Sequence, residues 1–431
     1  MTPTLPAAMS DALFALTLAL LVLSPLTIAG IALINTGLGR SRSASQSLLG
    51  NLAIVAVTAI VFAIIGSVFA GSLPGGAGHI FHMAGKPWNW LGSGPMLMRG
   101  LDSAPAQSQL GLVFEFMAVA LAALIPWGSG ADRWRLVAGC STAAVVAAFI
   151  FPLAAHWTWG GGWLAQLNAN FGTGANFVDA GGAGTVHVLG GLCALAVIWI
   201  TGARRGKFPK EGFSTAMPGH NAAYVLFGCM VCLVGFLAWN LAGAILWMNA
   251  TPATLPRTAI NTLLCGSAAI AATFAVTSIR FGKPDASLCA NGWMSGLVAS
   301  TACSTLVSPA AALFIGVVAG TATPLLVEVL ELALSIDDPS GAISAHLIAG
   351  LWGLAAAGIF APQHGQMLAQ FVGIATLLGV FLPLLFFVLL LLNRLVPFRV
   401  DADGERIGMD LHELGGGAYP EFVIHRDESY R

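Results

Sequence analysis

The sequence predicts an all-α polytopic membrane protein. It should have eleven transmembrane helices, arranged as an inverted five-helix repeat plus one extra helix, with the N-terminus out and the C-terminus in. Three observations predict this. The 431 residues are 57% hydrophobic and only 9% charged, where a soluble domain carries about 25% charged residues. Apolar runs of about 20 residues, enough to cross a bilayer core of about 30 Å, recur along the chain. Two distant segments also echo each other, five spans apart. The composition excludes a soluble enzyme, a coiled coil, a disordered chain and a nucleic-acid binder. A formal net charge of −1 implies no polyanionic partner.

The runs place spans near 11–37, 48–72, 110–128, 136–155, 180–202, 221–246, 257–278, 287–303, 309–329, 342–360 and 367–392. The first lacks a charged n-region and is too long for a signal peptide, so it is expected to stay as span one. An odd number of spans puts the termini on opposite faces, and the positive-inside rule selects which is inside. With the N-terminus outside, 15 of the 18 basic residues fall on the inner face; only Lys86, Arg99 and Arg257 fall outside. Residues 1–394 then form one transmembrane domain, with repeats about 11–202 and 221–360 and an extra helix about 367–392. Residues 395–431 form a polar cytoplasmic tail. The seven cysteines lie in apolar stretches, with neither a disulfide framework nor a zinc pattern. Cys229 and Cys232 form a C-x-x-C that reads as helix core.

The echo pairs the segment from Asp179 with the segment from Asp338. Both read D-x-x-G-A-x-x-x-H-x-x-x-G, aligning Gly182 with Gly341, His187 with His346 and Gly191 with Gly350. They open spans five and ten, and an offset of five spans makes the copies opposite in direction, as in an inverted repeat. Each Asp is placed to cap its helix. Each His lies eight residues on, about 12 Å along a helix. Measured from opposite faces, both imidazoles arrive near the midplane. Ionisable groups at that depth are costly and usually line a pathway. The pair is therefore expected to line one path, offering neutral nitrogens to a small polar solute or relaying a proton.

These residues carry a resemblance to the ammonium transporter family (Amt/Mep/Rh), running from about Ala29 to Tyr419. "DAGGAGTVH" is similar to the family's span-five signature and "DDPSGAISAHLIAGLWG" to its span-ten signature. "ANGWMSGLVASTAC", "SPAAALFIGVVAG", "WGGG" at 159–162, "GHN" at 219–221 and the tail "GMDLHELGGGAYPE" also fit. The resemblance implies ammonium transport by a homotrimer with one pore per subunit. Ammonium would be captured in an outer vestibule and deprotonated, and ammonia and a proton would pass along a twin-histidine pore behind an aromatic gate. By position His187 and His346 correspond to the twin pair, and Trp159 to the vestibule tryptophan with its cation–π face. Phe114 corresponds to the outer gate ring, Thr301 to the span-eight threonine near the vestibule, and Asp179 to the aspartate that orders the site.

The sequence also departs from the family pattern. Trp239 stands where the second gate ring is normally phenylalanine, and Gly243 where the vestibule has serine. Trp adds bulk and an N–H donor; losing the serine removes a hydroxyl acceptor. Ile34 and Asn35 replace two aromatics in span one, and the tail reads "ELGG" at 413–416. Two alternatives therefore stand beside a transporter. One is a non-conducting or weakly conducting ammonium sensor, the other a channel for another small solute or gas. A metal enzyme is disfavoured, and no cofactor is implied. The expected partners are ammonium or ammonia, membrane lipid, further copies of the chain and, by resemblance, a PII-type regulatory protein at the cytoplasmic face. The expected location is the inner cell membrane.

Overall fold

The computed structural model describes residues 9–73 and 79–419. The end of the expected tail, 420–431, with Arg426 and Arg431 of the charge tally, lies outside the described residues. In chain order the long helices begin with α1 (Asp11–Leu38), α2 (Ser41–Ala70), α3 (Ala106–Ser129) and α4 (Leu136–Thr158). Next come α5 (Ala183–Thr201), α6 (Ala222–Met248), α7 (Leu255–Phe281) and α8 (Ala286–Cys303). The last are α9 (Pro309–Ala333), α10 (Ile343–Phe360) and α11 (Gln366–Leu395). Among the described residues, ten helices are long and apolar enough to cross a membrane. The exception is α8, which carries Asn291, Ser295, Ser300 and Thr301, all buried. It packs against α6, α7, α9 and α10, so protein rather than lipid solvates it and strict apolarity is not required.

Local sequence sets the helix starts. Asn221 caps α6, Asp285 caps α8 and Ser308 caps α9, each through its side-chain oxygen. Pro309 occupies the first turn of α9, where no N–H is needed.

With α8 counted as a crossing, the loops alternate between two ends. At one end, loops before and after distant helices meet through buried charge. Arg204, after α5, holds Asp337, before α10, through Nη2–Oδ1 at 2.8 Å and Nε–Oδ2 at 2.9 Å, and reaches Asp132 at 3.3 Å. Arg133 donates to the Gly202 and Asp337 carbonyls at 2.8 and 2.9 Å. Burial lowers the Arg133 guanidinium to about 10. Burial opposes the charge on Asp337, but its bonds to Arg204 and the nearby Arg133 charge hold its carboxyl below the ordinary value. The tail docks at this end. Asp410 accepts from the Ser45 and Gln46 N–H groups at 3.1 and 2.7 Å, and Glu413 from the Leu136 N–H at 3.0 Å. These carboxylates satisfy the otherwise orphan donors starting α2 and α4.

The opposite end carries a hairpin absent from the sequence expectation, β1 (His79–Met83) with β2 (Lys86–Leu91). Its two-residue turn, Ala84–Gly85, has both φ angles positive, which suits the strand twist.

Helices α5 and α10 run in opposite directions. The α10 start meets the α5 end through Asp337 and Arg204. At the other end, Gln370, after α10, accepts from the Val178 N–H, before α5, at 2.8 Å. The two cross reciprocally. A Cβ on Gly191 would lie 2.6 Å from Leu347 Cβ, and one on Gly350 would lie 2.9 Å from Val188 Cγ2. Each glycine thus faces the residue following the histidine of the other copy, the relation a local two-fold produces. Helices α1 and α6 repeat it: a Cβ on Gly30 would meet the Gly228 carbonyl at 2.6 Å, and one on Gly228 the Gly30 carbonyl at 2.6 Å.

Candidate functional site

The two echo segments build the site's centre. Gly182 has φ +75° and Gly341 φ +69°, a conformation L side chains rarely adopt. After each glycine the chain makes a π-helical turn, Ala183–Val188 and Ile343–Ile348, of the kind that often marks functional sites. Asp179 Oδ2 accepts from the Gly184 and Thr185 N–H groups at 3.0 and 2.8 Å, and Asp338 Oδ2 from the Ile343 N–H at 2.7 Å. Each carboxylate thereby orders the turn carrying its histidine.

The structure brings His187 and His346 together. Their rings lie 5.1 Å apart, 16° from parallel, with Nδ1 to Nδ1 at 3.1 Å. His187 is fully buried and His346 is 7% exposed. Phe236 stacks on His187 at 5.5 Å. Two like nitrogens can bond only if one carries the proton and the other is bare. The Nε2 atoms are then complementary, one a bare acceptor and the other an N–H donor.

A set of aromatic rings stands on the Asp179 side. Phe114 of α3 and Trp239 of α6 stack at 4.1 Å, with 29° between planes, and both are buried. Trp159, just after α4, meets Phe114 edge-on at 5.4 Å. Trp247, unanticipated from sequence, stacks on Trp159 at 5.3 Å and 7°, and meets Phe114 edge-on at 5.8 Å. Its signal was present: 239, 243 and 247 recur every four residues, one face of a helix. Glu115, beside Phe114, was also not singled out. It is buried and accepts from the Ser72 hydroxyl.

The remaining expected residues surround the segment Asp179–Gly182. Thr301 lends its carbonyl to the Gly181 N–H at 2.9 Å, while its hydroxyl donates back to Val298 at 2.7 Å. Asn240 donates to the Thr262 and Ser300 hydroxyls at 2.9 and 3.0 Å. Gly243 does not border open space. A Cβ there would lie 2.2 Å from the Ala180 carbonyl oxygen, so the room a serine would need is already filled by backbone.

Beyond His346, Asn35 is buried and lines a cavity of about 10 Å³ with Ile31, Ile34, Asn291 and His346. Asn291 also lines a larger cavity of about 290 Å³ with Arg204, Lys207, Asp337 and Asp338. Asn291 therefore borders both the cavity beside His346 and the one at the charged end.

Residues 13–419 match the sequence model of the Ammonium Transporter Family. Ammonium transporter Amt2 of Archaeoglobus fulgidus is 32% identical over 426 residues, covering 93% of this chain and 86% of that protein. A putative ammonium transporter of Synechocystis is 31% identical over 410 residues, covering 94% and 88%. Among solved structures, one titled Sensor Amt Protein superposes with a TM-score of 0.83 at 24% identity, over 93% of this chain and 98% of that one. Mep2 of Candida albicans superposes with a TM-score of 0.77 at 21% identity, over 95% and 90%. At these identities the superpositions show a shared fold.

Proposed function

The chain belongs to the ammonium transporter family, multi-pass membrane transporters rather than enzymes, and from that premise we propose that it moves ammonium through a twin-histidine pore. The observation that carries this reading is the buried His187–His346 pair, bonded Nδ1 to Nδ1, in a fold whose Asp179 side holds the Phe114–Trp239 stack. A bare cation is costly at membrane depth. An aromatic face replaces part of its hydration, worth up to about 2 kcal/mol when desolvated. Trp159, Phe114 and Trp247 supply such faces where the cation would be captured. Past them, splitting ammonium into ammonia and a proton lowers the barrier. The bare Nε2 of one imidazole takes the proton, the Nδ1–Nδ1 proton shifts to the partner, and the partner's Nε2 releases one. One proton enters, one leaves, and the shared hydrogen bond ends reversed.

The same reading has the chain act as a homotrimer in the inner cell membrane, N-terminus out, with eleven crossings in two inverted repeats. The docked tail then faces the cytoplasm, where a PII-type protein would meet it. Solid-supported-membrane electrophysiology on proteoliposomes tests transport: an ammonium pulse evokes a transient current absent from empty vesicles. A second reading, a weakly conducting ammonium sensor, is favoured by the tight Phe114–Trp239 stack. It expects ammonium binding without current.

A further inference from the structure

Trp239 does more than fill the gate. Its indole N–H donates to the Gly181 carbonyl at 2.7 Å, and the residue is 1% exposed. A phenylalanine has no such donor. Gly181 belongs to the four-residue strap Asp179–Gly182, which neighbouring helices fasten. The Trp159 indole N–H holds the Asp179 carbonyl at 2.9 Å. The Thr301 carbonyl takes the Gly181 N–H at 2.9 Å. The bare backbone of Gly243 lets the Ala180 carbonyl seat against α6.

The strap runs directly into the histidine turn. Gly182, the residue after the one Trp239 holds, gives its carbonyl to the His187 N–H at 3.0 Å and to the Val186 N–H at 2.9 Å. The Asp179 side chain fastens the same turn. One hydrogen bond and one peptide unit therefore separate the gate ring from the backbone that aims His187. If the indole swings away from Phe114, the buried Gly181 carbonyl loses its partner, which is unfavourable unless the strap moves too.

We propose that Trp239 is a positioning residue that latches the aromatic gate to the Asp179–Gly182 strap, so that gate opening and reorientation of the His187 turn are one event. This rests on the transport reading. The latch limits passage rather than capture, because Trp159 and Trp247 keep their faces whichever way Trp239 points.

The test separates the N–H from the bulk of the ring. Trp239→benzothienylalanine replaces the indole N–H by sulfur at nearly unchanged size, and Trp239→Phe removes both. The full chain in lipid nanodiscs gives hydrogen exchange over residues 179–187, and proteoliposomes give ammonium-driven flux. In the benzothienylalanine variant, exchange is expected to rise about threefold to tenfold, as for one lost buried hydrogen bond. Maximal flux is expected to rise by a similar factor, while the half-saturating ammonium concentration stays within about twofold. Exchange equal to wild type in both variants overturns the latch. So does flux that rises in Trp239→Phe but not in the benzothienylalanine variant, since bulk alone is then the restriction. If wild type and both variants carry no ammonium flux, the transport reading fails and the exchange arm alone decides the latch.

Discussion

His187 and His346 meet through like atoms, Nδ1 to Nδ1, and each therefore fixes the tautomer of the other. Removing either ring breaks the relay at the same bond. His187→Ala and His346→Ala are both expected to lower proton-coupled ammonium current by about 100-fold, the usual scale for losing a proton-transfer group. Any current that persists should be less selective. Electrophysiology with ammonium, sodium and potassium pulses measures both, and wild-type current in the two single variants would show that the pair relays no proton.

Gly243→Ser introduces the serine that the sequence resemblance implies at this place, yet it is not expected to favour transport. The Ala180 carbonyl stands where the new Cβ would go. We expect a loss of about 1–3 kcal/mol of stability, as for overpacking elsewhere, and lower ammonium flux. Thermal unfolding in detergent checks the first and proteoliposome flux the second. Added to Trp239→Phe, the serine should lower the flux rather than raise it further.

Asp337 gives the fold a calculable response to acid. Its carboxyl is held below the ordinary value, so its contribution to stability is fully present above about pH 4 and is lost as pH falls through the lower folded value. Asp337→Asn leaves Arg133 and Arg204 buried beside a neutral amide, at a cost of about 3–5 kcal/mol near neutral pH. The gap between wild type and variant should then narrow below about pH 4. Unfolding midpoints from pH 3 to 7 test this; a constant gap would exclude Asp337 as the responsible group.

Assembly as a trimer is testable without any transport measurement. Native mass spectrometry in mild detergent is expected to give a mass three times the chain's, and a stable monomer or dimer would count against it.

Much of this architecture was legible because lipid imposes a coarse rule. A crossing helix must be apolar for about 20 residues, and ten such helices are present among the described residues. The Asp–Gly–His echo was readable because a special φ, a capping carboxylate and an ionisable ring each need a particular residue type. Helix α8 is legible as the charge-poor run at 287–303, although its buried asparagine, serines and threonine leave it less apolar than the other ten. What stayed hidden depends on contacts across the fold. No local pattern shows that Ala180 fills the place beside Gly243, or that the Trp239 N–H ends on Gly181. The turn Ala84–Gly85 lacks the usual Asn or Asp, so the hairpin gave no signal. Trp247 was visible as spacing but went unread, because a single tryptophan near a helix end has many uses.

Asp410 caps residues that lie 365 and 364 positions earlier. During synthesis the start of α2 is made first, and its donors must wait through every later helix for that carboxylate. The start of α4 waits 277 positions for Glu413, and Asp337 reaches Arg133 and Arg204 only once nine helices have passed. The charged end is therefore the last part of the molecule to close. Until residues 410 and 413 are made, the starts of the second and fourth helices lack the carboxylates that take their N–H groups.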